Sequence, residues 1–143
     1  MKHCACCTYI KIDFEWRVEL TQAEIIQQYI ECDVVVFVSL YEGFGVPIIE
    51  ANAMERVIVT GNCSAMAEVA GDAACLVDPL NIESIRTGIQ RVIADDNYRA
   101  QLIAAGRVNK KKFDEKVIAD QYYLLYEEVY SKNNRRKSTA PFN

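Results

Sequence analysis

Residues Val34-Val35-Val36-Phe37-Val38 are an unbroken run of β-branched and aromatic side chains. Neither alternate face of this run is polar, so a strand here must be covered on both sides, as strands in parallel sheets are. Parallel strands need crossover connections, and the sequence supplies one at once. The run leads into Ser39-Leu40-Tyr41-Glu42-Gly43-Phe44-Gly45, a loop with two glycines, and then into Val46-Pro47. Proline suits the first helical turn, so a helix is predicted through Ile49, Ala51 and Ala53 to about Glu55. Val57-Ile58-Val59-Thr60, ended by Gly61-Asn62, reads as the next buried strand. Ala73-Ala74-Cys75-Leu76-Val77, ended by Asp78-Pro79, reads as another. The alternation predicts an α/β domain, a parallel sheet with helical crossovers.

The flanks extend this pattern. Ile10-Lys11-Ile12-Asp13-Phe14-Glu15-Trp16 alternates apolar and polar residues, the pattern of a half-buried strand. Thr21-Gln22-Ala23-Glu24 has the capping-box spacing, and a helix is predicted from there to about Glu31, with Ile25, Ile26, Tyr29 and Ile30 on its apolar face. Three helices finish the chain. Ile82, Ile85, Ile89, Val92 and Ile93 line one face of the first, and Asp95-Asp96-Asn97 breaks it. Tyr98, Leu102 and Ile103 mark the second, ending near Gly106. Ile118, Tyr122, Leu125 and Val129 form the stripe of the last. The organisation is then a Cys-rich segment over 1–9 expected to be disordered, a folded domain over 10–131, and a polar basic tail over 132–143 with Arg135, Arg136 and Lys137. That tail is also expected to be disordered.

Composition narrows the function classes. With 143 residues, the chain can build one real core. Its net charge of -4 argues against unspecific nucleic-acid binding, which needs a basic face. No apolar run is long enough to span a membrane, and the start shows no secretory pattern, so a cytoplasmic location is expected, with peripheral contact of the basic tail with a membrane as the second reading. Cys32, Cys63 and Cys75 read as small buried hydrophobes of a reducing compartment. Cys4, Cys6 and Cys7 crowd beside His3, the sole histidine, and have soft-metal chemistry. No second ligand pair follows at zinc-finger spacing, so no metal or other cofactor is assigned.

The chemistry sits in Glu42-Gly43-Phe44-Gly45-Val46-Pro47-Ile48-Ile49-Glu50. In a parallel sheet, ligands bind beyond the carboxyl ends of the strands, where this segment falls. Its glycines let a ligand approach the backbone, and free N–H groups beside a helix N-terminus favour an anion such as a diphosphate. Glu50, in the first helical turn, can accept both hydroxyl protons of a ribose, and Glu42 can hold a hydroxyl of a sugar. An anion cradle flanked by carboxylates suits a sugar linked to a nucleoside diphosphate. Each residue also has a plainer reading. Both glutamates can be surface charges favouring a helix N-terminus, the glycines can serve the turn alone, and Phe44 can belong to core or site.

Two glutamates in this spacing, with Gly-Phe-Gly after the first and proline between them, resemble the donor-site motif of the family 4 glycosyltransferases. The resemblance runs from about Trp16 to Tyr130 and takes in Tyr29-Ile30-Glu31-Cys32-Asp33, Glu68-Val69-Ala70-Gly71-Asp72 and Leu76-Val77-Asp78-Pro79. It implies a Rossmann-like three-layer domain, the C-terminal donor-binding half of a GT-B enzyme whose active site lies between two such domains. It also implies roles. Glu42 would contact the donor sugar as the catalytic carboxylate. Gly43, Phe44, Gly45 and Val46 would face sugar and phosphates through their backbone, and Glu50 would hold the ribose. Val18 and Leu20 fall, more loosely, where the base would lie. The implied reaction is transfer of a sugar from a UDP- or GDP-linked donor with retention at the anomeric carbon and without a metal, in polysaccharide or glycan synthesis.

The departures from the family pattern are equally specific. The arginine and lysine that the family places on the diphosphate have no counterpart. Lys11, Arg17 and Arg56 are the basic residues near the motif in sequence, and none matches those positions. The acceptor-binding domain has no counterpart either. The family's Gly-x-Pro is Glu55-Arg56-Val57 here, and its glycine pair before Glu68 is Ser64-Ala65. Without upstream strands, the Val34–Val38 strand is expected to show a bare edge, which invites pairing. Partners expected are therefore a nucleotide sugar, with either a missing acceptor domain or a second copy at that edge. Three functions fit: the donor part of a glycosyltransferase, inactive alone; a non-catalytic nucleotide-binding module; and an inert remnant.

Overall fold

The computed structural model of the chain describes residues 13–138, with side chains as far as Lys132. The first helix, α1 (Gln22–Glu31), begins at the expected capping box. The Glu24 N–H donates to the Thr21 hydroxyl at 3.4 Å, and the Glu24 carboxylate accepts from the Thr21 N–H at 2.8 Å. There follow β1 (Val34–Phe37), α2 (Val46–Ala53), β2 (Val57–Gly61), α3 (Ser64–Ala70), β3 (Cys75–Val77), α4 (Ile82–Ala94) and α5 (Asp96–Asn109). A 3-10 turn (Lys110–Phe113) then leads to α6 (Glu115–Ser138).

The three strands form a parallel sheet in the order β1-β2-β3. Val34 faces Val57 and Phe37 faces Thr60 in one register, and Val59 faces Cys75 in the other. All five residues of β2 are buried, because β2 alone has a strand on each side and helices on both faces. Alternation along β2 divides the interior into two cores. Ile58 points toward Ile48, Ala51, Met66, Val69 and Ala70 of α2 and α3. Val57 and Val59 point the other way, to Cys75, Val77, Val92 and Leu102. The result is the three-layer α/β architecture expected.

Gly88 is what lets α4 lie close on the sheet. A methyl group there would stand 2.4 Å from Val77 Cγ1. The layers are tied at one end by a buried polar cluster. Asn109 Nδ2 donates to Asn52 Oδ1 at 3.1 Å and to the Val69 carbonyl at 2.8 Å, joining α5 to α2 and α3.

Four expectations are corrected. Of the strand over Ile10–Trp16, residues 10–12 lie outside the described residues, and Asp13–Trp16 carries no strand. Alternation without a neighbour to complete the ladder forms no strand, and Trp16 is 82% exposed. On α4, Ile82 and Ile93 are exposed, so Ile85, Ile89 and Val92 carry the packing. The chain remains helical through Ser138, past the expected start of the tail. No glycine or proline lies between Glu115 and Ser138 to interrupt it. The α6 stripe is not a core face: Ile118, Tyr122, Leu125 and Val129 are all exposed. Among the described residues no helix is long and apolar enough to cross a membrane. The cluster of Cys4, Cys6, Cys7 and His3, and residues 139–143 of the tail, lie outside the described residues. Of the other cysteines, Cys75 is buried while Cys32 and Cys63 are half-buried.

Candidate functional site

The loop from Val38 to Gly45 leaves the carboxyl end of β1 and enters α2. The two glycines do different jobs. Gly45 adopts φ 92°, ψ 52° as the N-cap of α2. That left-handed conformation favours glycine, and a methyl group there would press to 3.0 Å from Ile48 Cδ1. Gly43 has nothing within 4 Å of where a methyl would sit, so its backbone faces open space.

The turn leaves amides free. Pro47 has no N–H, and the Ile48 N–H is taken by the Gly45 carbonyl at 3.0 Å. Among the described residues no acceptor takes the N–H of Gly43, Phe44, Gly45 or Val46. Consecutive free amides at a helix mouth, beyond the carboxyl end of a parallel strand, are an arrangement that can accept an anion, although Gly45 itself is buried.

The two glutamates flank it in sequence, and neither lines the cavity beside the loop. Glu42 and Glu50 are both half-buried. One Glu50 oxygen accepts a hydrogen bond from the Tyr29 hydroxyl at 2.8 Å. Burial first, and that bond second, raise the Tyr29 phenol far above its ordinary value of 10.0. The neutral phenol thus fixes the Glu50 carboxylate through one of its two oxygens. Glu42 is held through its backbone instead. The Ser64 hydroxyl donates to the Glu42 carbonyl at 2.7 Å and accepts from the Glu42 N–H at 3.4 Å.

Phe44 is 44% exposed, and its ring lies edge-on to Phe113, with centroids 5.7 Å apart. Its side chain therefore belongs to a surface contact with the 3-10 turn, leaving its backbone to the loop. Val46 is exposed beside it. A cavity of about 460 Å³ adjoins the loop, lined by Gly43, Phe44, Glu68 and Lys112 among others. Leu20 lines a hollow with Tyr29, whereas Val18 is exposed.

The basic residues near the motif in sequence do not gather at it. Lys11 lies outside the described residues. Arg17 pairs with Glu15 at 2.7 Å. Arg56 donates to the carbonyls of Tyr29 and Ile30 at 2.9 and 2.6 Å, capping the end of α1. It precedes β2 and so lies at the opposite end of the sheet from the loop, because the strands are parallel. Lys112 is the cation that the fold brings to the loop's cavity, from far along the chain. Sequence reasoning singles out Ser64 as a departure from the family's glycine pair but not its bond to Glu42. It misses Tyr29 and Lys112: Tyr29 reads as part of an apolar helix face, and Lys112 has no local pattern pointing at the loop.

Comparison with known proteins bears on this geometry. The family described as Glycosyl transferases group 1 matches residues 10–109. The O-antigen chain mannosyltransferase B of Escherichia coli is 37% identical over 78 residues, 54% of this chain and 20% of that protein. The N,N'-diacetylbacillosaminyl-diphospho-undecaprenol alpha-1,3-N-acetylgalactosaminyltransferase of Campylobacter jejuni is 27% identical over 110 residues, 76% of this chain and 29% of that protein. The chain therefore spans less than a third of either relative. Among solved structures, a sucrose-phosphate synthase from Thermosynechococcus elongatus superposes with a TM-score of 0.64 at 27% identity, over 73% of this chain and 27% of that one. A glycosyltransferase from Rickettsia africae superposes with a TM-score of 0.66 at 23% identity, over 76% of this chain and 30% of that one, a likeness of fold.

Proposed function

The chain belongs to the group 1 glycosyl transferases, and from that premise we propose that it is the donor-binding part of a retaining transferase using a nucleotide-diphospho-sugar, inactive without an acceptor-binding part. The observation that carries this reading is the row of free amides from Gly43 to Val46, set between Glu42 and Glu50. The amides take the diphosphate. Glu50, oriented by Tyr29, takes the ribose hydroxyls. Glu42 takes a hydroxyl of the sugar and is the catalytic carboxylate in the sense of touching the reacting ring.

In the completed enzyme the bond from the anomeric carbon to the phosphate oxygen breaks, and its electron pair leaves with the diphosphate. The acceptor oxygen bonds to the same carbon, and its proton passes to the departing diphosphate. The loop amides stabilise the charge that develops on that leaving group. No protein nucleophile is needed, and no metal is assigned.

The bare outer edge of β1 is where we place further strands of the donor domain, and the exposed stripe of α6 is where we place the acceptor-binding part. Contact of the basic end of α6 with an anionic membrane surface is a further part of this reading. One observation favours a binding-only module instead. Arg17 and Arg56 are committed elsewhere, so among the described residues Lys112 is left as the cation beside the loop's cavity.

The test is calorimetric titration of the purified chain with UDP, GDP, UDP-glucose and GDP-mannose, repeated on Glu50→Ala. Saturable binding that falls at least about tenfold in the variant is expected, equal to the loss of a charged hydrogen bond pair. Folded protein giving no heat with any of the four ligands would overturn the proposal.

A further inference from the structure

Beyond Phe37, where the β1–β2 ladder ends, side chains from the β2–α3 segment carry the pairing on. The Thr60 hydroxyl donates to the Phe37 carbonyl at 2.8 Å. The Cys63 thiol lies 3.5 Å from the Leu40 carbonyl and 3.9 Å from that of Ser39. Ser64 closes the series on Glu42, donating to its carbonyl at 2.7 Å and facing its N–H at 3.4 Å. Gly61 permits the approach, since a methyl group there would meet the Ser39 carbonyl oxygen at 3.1 Å.

Ser64 reaches this position at a conformational cost. Its φ is 57°, in the left-handed region that a serine seldom occupies. A residue stays in such a conformation when its surroundings over-determine it, and such residues gather at functional sites. The contact that holds Ser64 here is the paired hydrogen bond to Glu42, which spans 22 positions of sequence. Nothing else fixes the Glu42 backbone among the described residues. Gly43, immediately after it, stands in open space.

We propose that Ser64 is a positioning residue for sugar recognition: its hydroxyl sets the backbone of Glu42, and hence the direction in which that carboxylate enters the donor site. This rests on the reading of Glu42 as the sugar-contacting residue. It adds a specificity-determining residue from a different element, α3. The predicted signature is selective. Affinity for the bare nucleotide depends on the loop amides and Glu50, which Ser64 does not touch. The added affinity contributed by the sugar depends on Glu42, which Ser64 does.

The experiment compares Ser64→Ala and Ser64→Gly with the unaltered chain. Both variants lose the hydroxyl, but glycine relieves the left-handed backbone whereas alanine retains its cost. Calorimetric titration with UDP and UDP-glucose, and with GDP and GDP-mannose, gives the ratio of nucleotide to nucleotide-sugar dissociation constants. Amide hydrogen exchange over Glu42–Gly45 is followed without ligand. Expected in both variants are faster exchange at Glu42 and a ratio reduced about three- to tenfold, the worth of one hydrogen-bonded anchor, with nucleotide affinity unchanged. A role confined to stability would move the unfolding midpoint of the two variants apart and leave the ratio alone. An unchanged ratio in folded Ser64→Gly, or unchanged exchange at Glu42, overturns the proposal. Equal affinity of the unaltered chain for nucleotide and nucleotide sugar also overturns it. Absence of any nucleotide binding to the unaltered chain instead removes the donor-site reading beneath it, and the exchange result then judges the clamp alone.

Discussion

Gly43 and Gly45 look interchangeable in the sequence and are not interchangeable in the fold. Gly45 is held at φ 92°, against Ile48. Gly45→Ala is expected to destabilise the chain by about 1–2 kcal/mol from the left-handed backbone alone, with the contact adding to it. Gly43→Ala, facing open space, is expected to stay within about 0.5 kcal/mol in stability while weakening ligand binding. Urea denaturation of the two variants separates these roles. Tyr29 gives a residue-scale test in pH. Burial, then its bond to Glu50, raises the phenol's pKa in the folded state. The fold therefore favours the protonated phenol. That contribution is intact below about pH 10, the ordinary phenol value, and is lost as pH rises toward the folded one. Burial also raises the Tyr98 phenol, so spectrophotometric titration should show late-ionising tyrosines of which Tyr29→Phe removes one. The same variant should weaken nucleotide affinity about three- to tenfold, by freeing the Glu50 carboxylate to wander.

Between elements, the tie at Asn52 and Asn109 is the point where the layers depend on polar atoms. Asn109→Ala strands the Asn52 carbonyl oxygen and that of Val69, both buried there. An unsatisfied buried group costs about 1–3 kcal/mol, and a loss of that size is expected in chemical denaturation. Gly88→Ala should cost about as much, roughly 1–3 kcal/mol, by pushing α4 off Val77. Much of the element order was legible because its signals are local. The β1 run, the Thr21 capping box and the Pro47 helix start each announce themselves within a few residues. Helix α3 went unread, since seven residues beginning at Ser64 give too short a period to see. Gly88 could not be read as a packing residue, because its meaning lies in Val77 and Cys75 of another element. The motif glutamates were legible for the same local reason, while the fold brings Tyr29 to Glu50, Ser64 to Glu42 and Lys112 to the loop's cavity. The strand over Ile10–Trp16 failed in the opposite way: its alternation is local, but a strand needs a partner.

As a whole, the molecule carries two unsatisfied faces. The outer edge of β1 has no strand beside it among the described residues, and α6 presents Tyr122, Tyr126 and Tyr130 to solvent at 56%, 67% and 69% exposure. Soluble monomers seldom leave such an edge and such a stripe uncovered together. The isolated chain should therefore self-associate as its concentration rises, which light scattering after gel filtration will show. A clean monomer at every concentration would contradict it. The aligned segments span 20% and 29% of the two relatives compared. Ligand binding by the loop after β1 is open to amide chemical-shift mapping by NMR, with UDP-glucose and GDP-mannose added in turn to the labelled chain. The largest shifts are expected at Gly43, Phe44, Gly45 and Val46, with smaller ones near Glu50. Shifts concentrated elsewhere on the fold, or none with either ligand, would contradict it.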